Sequence, residues 1–354
     1  MNEFDFIGRL RERATANEPA SSTLITHHSS LLTSIGDDAA VIQQLTGRNT
    51  VITTDLLVED IDFERATLRP RLLGHRALAV SLSDIAAMGA RPRWALLSIG
   101  LPAEVWDSTF VDEFYEGFFS LAQRYDVQLV GGDVSRTPEK IVIDSIVLGE
   151  CGAEREILRR GARRGDQLFV TGALGGSAAG LRLLKRGARL EVRDDADQDA
   201  HSVEQLLLRH LRPEPRVGWG LVLGEERLAS AMIDISDGLS SDLHHLCAES
   251  ETGALIDAAR LPIDPFVAAL CGRRALDPLL LALHGGEDFE LLFTVPAARL
   301  ASLPKTVDGV SITQIGEITS ETGKICVAEK DRVWELEPKG FDHFPRTASA
   351  ERKG

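Results

Sequence analysis

The spacing of apolar and polar positions predicts alternating strands and helices over the first 150 residues. A β-branched run, NTVITTDLL, predicts a buried strand that ends at Asp55. After Pro70 the apolar positions recur at helical spacing up to Gly89, and Asp84 falls on the same stripe. A strand, WALLSIGLP, and a helix with aligned phenylalanines, VWDSTFVDEFYEGFFSLAQRYD, come next. Two more strands, VQLV and KIVIDSIVLGE, complete a first α/β unit near residue 150.

A polar and basic segment, CGAEREILRRGARRGD, then interrupts the pattern and indicates a domain boundary. The second half restarts with the strand QLFVTG and a glycine-rich turn, GALGGSAAG, which leads into a helix. Further strands are predicted at AMIDI, HGGEDFELLFTV, VSITQIGEI and KICVA. We therefore predict two α/β domains, residues 1–150 and 151–344, followed by a tail at 345–354.

Composition narrows the classes of function. The chain has 54 acidic and 39 basic residues, a net charge of -15, which argues against nucleic acid as the main partner. Its four cysteines are far apart and form no CxxC pair, so neither a zinc site nor a disulfide framework is indicated. No apolar run is long enough to cross a membrane, and the acidic start does not have the order of a signal peptide. We expect a cytoplasmic protein with no membrane partner.

Acidic residues recur at the edges of apolar segments. One such aspartate is most often a turn residue or a helix cap. If several converged, each pair about 4 Å apart would cost about 4 kcal/mol at an effective dielectric of about 20. A cation must then lie among them, and magnesium, which binds oxygen ligands and shares them with phosphates, is the natural candidate. The six segments are IGDDAAVI, VITTDLL, SLSDIAAMGA, QLVGGDVS, IDISDGLS and LHGGEDFEL.

Motifs of several enzyme classes are missing from the sequence. It contains no GxxxxGK[ST] loop, no GxGxxG after a strand, no GxSxG elbow and no HExxH pair. The GALGGSAAG turn is explained equally well by tight helix packing and by an anion at a helix N-terminus. A site rich in aspartate and without a nucleophile suits phosphoryl transfer, in which metal ions neutralise charge.

Taken in order, the motifs resemble those of the thiamine-monophosphate kinase family from about residue 4 to Phe344. The superfamily includes aminoimidazole ribonucleotide synthetase and selenophosphate synthetase. The resemblance implies two α/β domains of the α+β type with mixed sheets, an ATP site between them and a homodimer formed through the N-terminal sheets. The motifs are IGDDAAVI, TTDLLVE, ALAVSLSDIAAMGA, LVGGDVSR, GDQLFVTGALGGSAAGL, HLRPEPR, IDISDGLSSDL, GGEDFELLF and KGFDHF.

The family uses ATP to phosphorylate thiamine monophosphate, giving thiamine diphosphate, with several Mg²⁺ ions bridging the reactants. No residue is implied as a general base, because the acceptor phosphate is already anionic at neutral pH. By resemblance the metal ligands are Asp38, Thr53, Thr54, Asp55, Asp84, Asp133, Asp234 and Asp237. The ATP-binding residues implied in the same way are Tyr115, Gly132, Asp133, Arg159 and Ser236.

On the substrate side, Glu287 and Phe341 match family positions that contact the thiamine. A carboxylate and an aromatic face are sensible partners for the cationic thiazolium ring. Asp62 departs from the family pattern, because many members carry histidine before the phenylalanine that is Phe63 here. We take Asp62 as a third substrate-binding residue, which would face the thiazolium or a metal ion.

Two alternatives stay open. Selenophosphate synthetase is expected to have a reactive cysteine in an N-terminal loop, and no cysteine here precedes Cys151. Aminoimidazole ribonucleotide synthetase shares the fold but not the SLSDIAAMGA and GGEDFEL pair. The second alternative is a non-catalytic protein that keeps the fold and binds a nucleotide, and a single sequence does not exclude it.

Overall fold

The computed structural model describes residues 9, 12–13, 30–33, 41–190, 198–274 and 277–340, and every structural statement here refers to these residues. Two candidate site residues, Asp38 and Phe341, lie outside them, as does the tail at 345–354.

A four-stranded mixed sheet forms the N-terminal half. Its strands lie in the order β3-β6-β4-β5, with β4 and β5 parallel and the other neighbours antiparallel. A separate antiparallel pair, β1 and β2, precedes it. The strands are β1 (Ser30–Thr33), β2 (Val41–Gln43), β3 (Arg48–Val58), β4 (Arg91–Leu101), β5 (Gln128–Arg136) and β6 (Val142–Gly152).

Helices cover one face of this sheet. They are α1 (Pro70–Ala87), α2 (Ala103–Trp106) and α3 (Phe110–Arg124). α1 and α3 approach each other so closely that a Cβ added at Gly74 would lie 1.8 Å from the carbonyl oxygen of Phe114. Gly117 makes the reciprocal approach, since its added Cβ would lie 1.8 Å from the carbonyl oxygen of Arg71. The two helices therefore pack through their backbones.

The structure corrects two predicted boundaries. β3 does not end at Asp55 but continues to Val58, because the alternation of faces persists through Leu57. The strand is also buried on one face only, since Ile52 is 64% exposed on the other. The single helix predicted before Asp126 is two helices, which are separated by residues 107–109.

A second mixed sheet forms the C-terminal half, in the order β14-β13-β9-β12-β7-β10-β8, with β11 paired to β12. Only β9 and β13 are parallel among its described pairs. The strands are β7 (Gln167–Thr171), β8 (Ala231–Asp234), β9 (Gly253–Asp257), β10 (Leu291–Val295), β11 (Thr306–Val307), β12 (Val310–Thr319), β13 (Ile325–Glu329) and β14 (Arg332–Glu335). The helices are α4 (Gly176–Lys185), α5 (Gln198–Leu211), α6 (Val217–Glu225), α7 (Leu239–Glu249), α8 (Pro265–Arg274) and α9 (Pro278–His284), with 3₁₀ turns at Ala258–Arg260 and Ala297–Ser302.

Helix α1 joins the two halves. On the side away from α3 it packs against α6, where a Cβ added at Gly220 would lie 2.2 Å from the carbonyl oxygen of Ala86. His75 Nε2 lies 2.7 Å from the carbonyl oxygen of Pro213, and Ser83 donates a hydrogen bond of 2.7 Å to Asp234. The predicted two-domain α/β class with mixed sheets is confirmed, whereas the division of the chain at residue 150 stays a prediction. No helix among the described residues combines the length and the apolar character needed to span a bilayer.

Replacing Gly74 by alanine tests the backbone packing of α1 on α3. Alanine favours a helix over glycine by about 1 kcal/mol. The clash with Phe114 should nevertheless dominate and lower the free energy of unfolding by at least about 1–3 kcal/mol. The control is Gly131→Ala, whose added Cβ meets only the Leu96 side chain, at 3.3 Å. Denaturant unfolding measures both, and equal stability of the two variants would contradict this packing.

Candidate functional site

Three carboxylates, Asp55, Asp84 and Asp234, lie between the two halves of the chain. β3 places Asp55 on its inner face. α1 carries Asp84, its one residue between Leu73 and Ala87 that is not buried, into the same region. Asp234 is the last residue of β8 and comes from the other half. Three of the predicted metal ligands are thus brought together from three separate elements.

Hydroxyl groups hold these carboxylates in place. Thr53, two residues before Asp55 and on the same face of β3, donates a hydrogen bond to Asp84 Oδ2. Ser81 donates to Asp55 Oδ2 at 2.7 Å. Together with the Ser83 hydrogen bond to Asp234 Oδ2, they give each carboxylate one neutral donor. Side chains of α1 thus contact β3 on one side and β8 on the other.

The pKa values of these carboxyl groups are raised mainly by burial, and for two of them also by neighbouring carboxylates. Burial, with Asp84 and Asp144 nearby, raises the pKa of Asp55 to about 6. Burial also raises the pKa of Asp84, although its Thr53 hydrogen bond acts in the other direction. Asp234 is affected most, because burial and the charges of Asp84 and Asp55 raise its pKa to about 7.

A cation bound nearby would stabilise the charged form of these three carboxylates. Arg159 is close enough to lower the pKa values of Asp84 and Asp234, but it does not restore them to ordinary values. Within the part of the chain that the structure describes, no group of three or more Asp, Glu, His or Cys side chains could by itself hold a metal ion. Magnesium usually binds one or two carboxylates and completes its shell with water and substrate phosphates. The three carboxylates therefore fit magnesium ions that are shared with a phosphorylated ligand.

Asp237 and Ser236 follow β8 in the loop before α7. The backbone N–H groups of Asp237 and Gly238 donate to Asp242 Oδ2 at 3.2 and 3.0 Å. Burial, with Asp234 and Asp237 nearby, raises the pKa of Asp242 to about 8. The acidic region therefore extends along this loop, and Asp242 is a member of it that the sequence did not point to.

Next to the acidic cluster lies a cleft of about 460 Å³ between the two halves. Its walls come from β3 and the turn after it, from α1 and α4, and from the loops after β8 and α9. Five predicted site residues line this cleft: Asp55, Asp62, Ser236, Asp237 and Glu287.

Glu287 is held by two basic side chains of the cleft. Arg76, which is 2% exposed on α1, donates a hydrogen bond to Glu287 Oε1. The Nδ1 atom of His210 lies 3.0 Å from Glu287 Oε2. Burial by itself would raise the pKa of Glu287, but Arg76 and His210 outweigh it and lower the pKa to about 2. Glu287 is therefore ionised throughout the physiological range.

Two further predicted residues have structural contacts of their own. Asp62 Oδ2 accepts a hydrogen bond of 2.8 Å from the Val58 backbone, so this carboxylate closes the turn after β3. Thr54 lies on the face of β3 opposite Thr53 and donates a hydrogen bond of 2.6 Å to Asp144. Its hydroxyl does not face the acidic cluster. The roles of Asp62 and Thr54 in ligand binding stay predictions.

Three of the predicted nucleotide-binding residues lie on β5 and α3. Gly132 has φ +153°, and a Cβ there would lie 2.0 Å from the Leu97 carbonyl oxygen, so only glycine fits. Asp133 beside it is exposed on β5. Tyr115 is 1% exposed, and its ring packs against Phe114 with centroids 5.4 Å apart. An adenine contact of Tyr115 stays a prediction, and it would require the ring to leave this packing.

The glycine-rich turn before α4 holds a carboxylate of the protein itself. The backbone N–H groups of Gly175 and Ser177 donate to the two oxygens of Asp288, at 2.6 and 3.1 Å. Burial raises the pKa of Asp288 to about 7, although these hydrogen bonds act in the other direction. The anion at this helix N-terminus is therefore Asp288, and the turn serves packing and capping.

Several residues of the site were not predicted from the sequence. Arg76 precedes Asp84 by eight residues and therefore lies near the same stripe of α1, a spacing that could have pointed to it. Ser81 and Ser83 are on the same helix, but nothing in a serine marks it as a ligand-positioning group. His210 meets Glu287 from 77 positions earlier in the sequence, and no local pattern predicts such a contact.

Comparisons with known proteins give consistent results. Residues 36–151 match the AIR synthase related protein N-terminal domain, and residues 163–328 match the corresponding C-terminal domain. The thiamine-monophosphate kinase of Escherichia coli K12 is 40% identical over 88% of this chain and 91% of its own length. The crystal structure of thiamine-monophosphate kinase from Stenotrophomonas maltophilia K279a has a TM-score of 0.76 at 38% identity, covering 92% of this chain and 96% of its own. AaThiL complexed with AMPPCP and TMP has a TM-score of 0.70 at 31% identity, covering 94% of this chain and 96% of its own.

Asp234→Asn tests whether the buried charge opposes folding. The pKa of Asp234 is about 7 in the folded protein, against about 4 for an unfolded chain. The native state therefore binds the proton more tightly, so the contribution of Asp234 to the free energy of unfolding falls as pH rises from about 4 to about 7. Without divalent ions, the variant should be more stable than the wild type at pH values near 8, and this advantage should vanish toward pH values near 4.

Denaturant titrations across this pH range measure the effect. Asp126→Asn is the control, because that carboxylate is exposed and should give no such pH-dependent difference. If the stability difference between Asp234→Asn and the wild type were the same at every pH, the raised pKa of Asp234 would be contradicted.

Proposed function

We propose that this chain, which belongs to the thiamine-monophosphate kinase family of AIR synthase related proteins, transfers the terminal phosphoryl group of ATP to the phosphate of thiamine monophosphate. The product is thiamine diphosphate. The chain is thus a thiamine-phosphate kinase, and its finer mechanism is argued from the geometry of the acidic cluster and the cleft.

The observation that carries the proposal is the acidic cluster at the edge of the cleft. Asp55 and Asp84 from one half and Asp234 from the other are buried together with raised pKa values. This arrangement costs stability unless a cation arrives with the ligand. Two polyanionic reactants that meet between the two halves would bring such cations with them, which is the requirement of a kinase with a phosphate acceptor.

The acceptor needs no general base, because the second pKa of a phosphate monoester is about 6 and its oxygen is already anionic near neutral pH. What remains is to align two anions for direct in-line transfer. Magnesium ions would supply charge neutralisation between the nucleotide and acceptor phosphates when bound. Arg159, close to Asp84 and Asp234, would contact the phosphates of ATP, with Gly132 and Ser236 on the nucleotide side. The residues proposed to hold the ions are Asp38, Thr53, Thr54, Asp55, Asp84, Asp133, Asp234 and Asp237.

The cleft would hold the thiamine part of the acceptor, with Asp62, Glu287 and Phe341 as its contacts. Asp62 and Glu287 both line the cleft that adjoins Asp55. Thiamine monophosphate bound here would place its phosphate toward the acidic cluster and its rings toward α1 and α4.

Turnover by the purified protein tests the proposal. With ATP, magnesium and thiamine monophosphate it should form thiamine diphosphate, detected by chromatography, and excess EDTA should stop the reaction. Turnover of formylglycinamidine ribonucleotide but not of thiamine monophosphate would favour a synthetase of the same superfamily. Binding of ATP without turnover of either substrate would favour a non-catalytic protein.

Asp84→Asn tests the cluster directly. Removing this carboxylate should lower kcat at least about 100-fold, since charge-stabilising groups at reacting phosphates contribute on that order. The fold should be kept, because asparagine still accepts the hydrogen bond from Thr53. Asp126→Asn is the matched control and should leave kcat unchanged. Product formation at saturating substrates measures both, and wild-type kcat in Asp84→Asn would remove this residue from the mechanism.

We also propose that the protein is a homodimer formed through the outer face of the N-terminal sheet. Ile52 and Leu56 are 64% and 59% exposed on that face of β3. Large apolar side chains exposed on one face of a sheet often mark an interface between subunits. The partner would cover them with the same face of its own sheet.

Ile52→Asp should separate such a dimer, because a charge would be buried without a partner in the interface. The mass from light scattering is then expected to fall by half. Val333→Asp is the control, since Val333 is 65% exposed on β14 of the other sheet and its change should leave the mass unaltered. A wild-type protein that has the mass of one chain at all concentrations would contradict the dimer.

A further inference from the structure

Arg76 is the buried charge of the cleft to which the phosphoryl-transfer mechanism gives no role. It lies on α1, lines the cleft and is 2% exposed. Its Nη1 donates a hydrogen bond of 2.7 Å to the carbonyl oxygen of His210, and its Nη2 donates to Glu287. Burying a guanidinium is costly unless it is paired and hydrogen-bonded. Glu287 supplies this pairing, so the two side chains form one unit in the wall of the cleft.

The pairing changes what Glu287 offers to a ligand. Its negative charge is already matched by Arg76 on Oε1, with His210 Nδ1 3.0 Å from Oε2. The Arg76–Glu287 pair is neutral as a unit, so it attracts a cation only weakly. The side chain of Glu287 is nevertheless 32% exposed and lines the cleft. A carboxylate has about four lone-pair sites, and the two basic residues use only part of them.

The main chain and the two basic contacts together restrain Glu287. Glu287 has φ +62°, a conformation that residues other than glycine adopt rarely. A hydrogen bond of 2.7 Å from its N–H to the carbonyl oxygen of Ser236 holds the loop. With its main chain and both oxygens restrained, Glu287 is a directional hydrogen-bond acceptor.

The two rings of thiamine monophosphate differ in the chemistry that such an acceptor can recognise. The thiazolium ring carries a fixed positive charge but has no N–H group. The aminopyrimidine ring carries no fixed charge and has an exocyclic amino group, which is a hydrogen-bond donor. A charge-neutral unit with a directional acceptor suits the amino group.

We infer that Arg76, His210 and Glu287 form the specificity element of the cleft, in which Glu287 accepts a hydrogen bond from the exocyclic amino group of the aminopyrimidine ring and Arg76 positions it. The inference rests on the proposed function. It replaces the expectation that Glu287 is the counter-ion of the thiazolium.

The counter-ion of the thiazolium is then Asp62, which lines the same cleft from the turn after β3. One oxygen of Asp62 accepts the Val58 N–H, and no basic side chain forms an ion pair with it among the residues that the structure describes. Its neighbours differ, because Asp60 is paired with Lys140 and Glu59 with Arg65. Asp62 is therefore a carboxyl group of this turn that lines the cleft without a basic partner among the described residues.

A pair of substrates separates the two roles. The first is thiamine monophosphate, and the second is its analogue with a carbonyl oxygen in place of the exocyclic amino group. Both carry the same thiazolium and phosphate. The kcat/KM of the wild type should be on the order of 10- to 100-fold higher for thiamine monophosphate than for the analogue. This ratio corresponds to the free energy of one hydrogen bond to a charged group.

Glu287→Gln should raise KM for thiamine monophosphate, leave KM for ATP unchanged and reduce the preference to a few-fold. Its amide has the size of the carboxyl group and can donate to the carbonyl of the analogue. Arg76→Lys keeps the positive charge and should retain most of the preference. Arg76→Met should lose it, because the acceptor is no longer held. Asp62→Asn is the contrasting variant, and it should weaken both substrates by the same factor.

Three outcomes would overturn the inference. A wild type that does not discriminate between the substrates is the first. The second is a Glu287→Gln variant that weakens both equally, since that is the behaviour of a counter-ion. The third is an Arg76→Met variant that loses thermal stability but keeps the substrate preference. Calorimetric binding of the two monophosphates without ATP gives the same ratio independently of turnover. Failure of the kinase reaction is thus distinguished from failure of this inference.

Discussion

The burial of several carboxylates without enough positive charge to balance them is the constraint on which the rest of this structure depends. Asp55, Asp84 and Asp234 are held together although burial raises the pKa of each, and neighbouring carboxylates raise those of Asp55 and Asp234 further. Neutral donors, Thr53, Ser81 and Ser83, fix their directions without supplying charge. The protein is therefore organised to be completed by cations that arrive with a phosphorylated ligand, and both halves of the chain must be present for this to happen.

Helix α1 is the element that makes the arrangement possible. Gly74 and Gly220 allow backbone contact with helices on its two sides, so α1 has little freedom to move. Its polar side chains then reach in two directions, toward Asp55 on β3 and Asp234 on β8. The same helix carries Arg76 to the cleft. A single rigid helix thus sets the positions of the phosphate end and the ring end of the site.

Features that depend on periodicity or on local motifs could be predicted from the sequence. Contacts between residues that are far apart in the sequence could not. Asp84 on an apolar helical stripe, the aromatic face of α3 and the strand before Asp234 could all be predicted from spacing. The extension of β3 beyond Asp55 could not, because an edge strand with Ile52 and Leu56 exposed has the same composition as a buried one. Arg76 was missed because a buried arginine is defined by its partner Glu287, 211 residues later. Asp288 at the N-terminus of α4 was missed for the same reason.

The position of Arg76 and Asp84 on one helix has a consequence for the size of the ligand. Eight residues of an α-helix span about 12 Å. α1 therefore sets a fixed distance between the part of the site that recognises a ring and the part where the phosphate reacts. A molecule that is too short to bridge this length can occupy one end or the other but not both. Selection by the cleft is then a matter of length as well as of hydrogen bonding, because the spacing is set by the geometry of the helix itself.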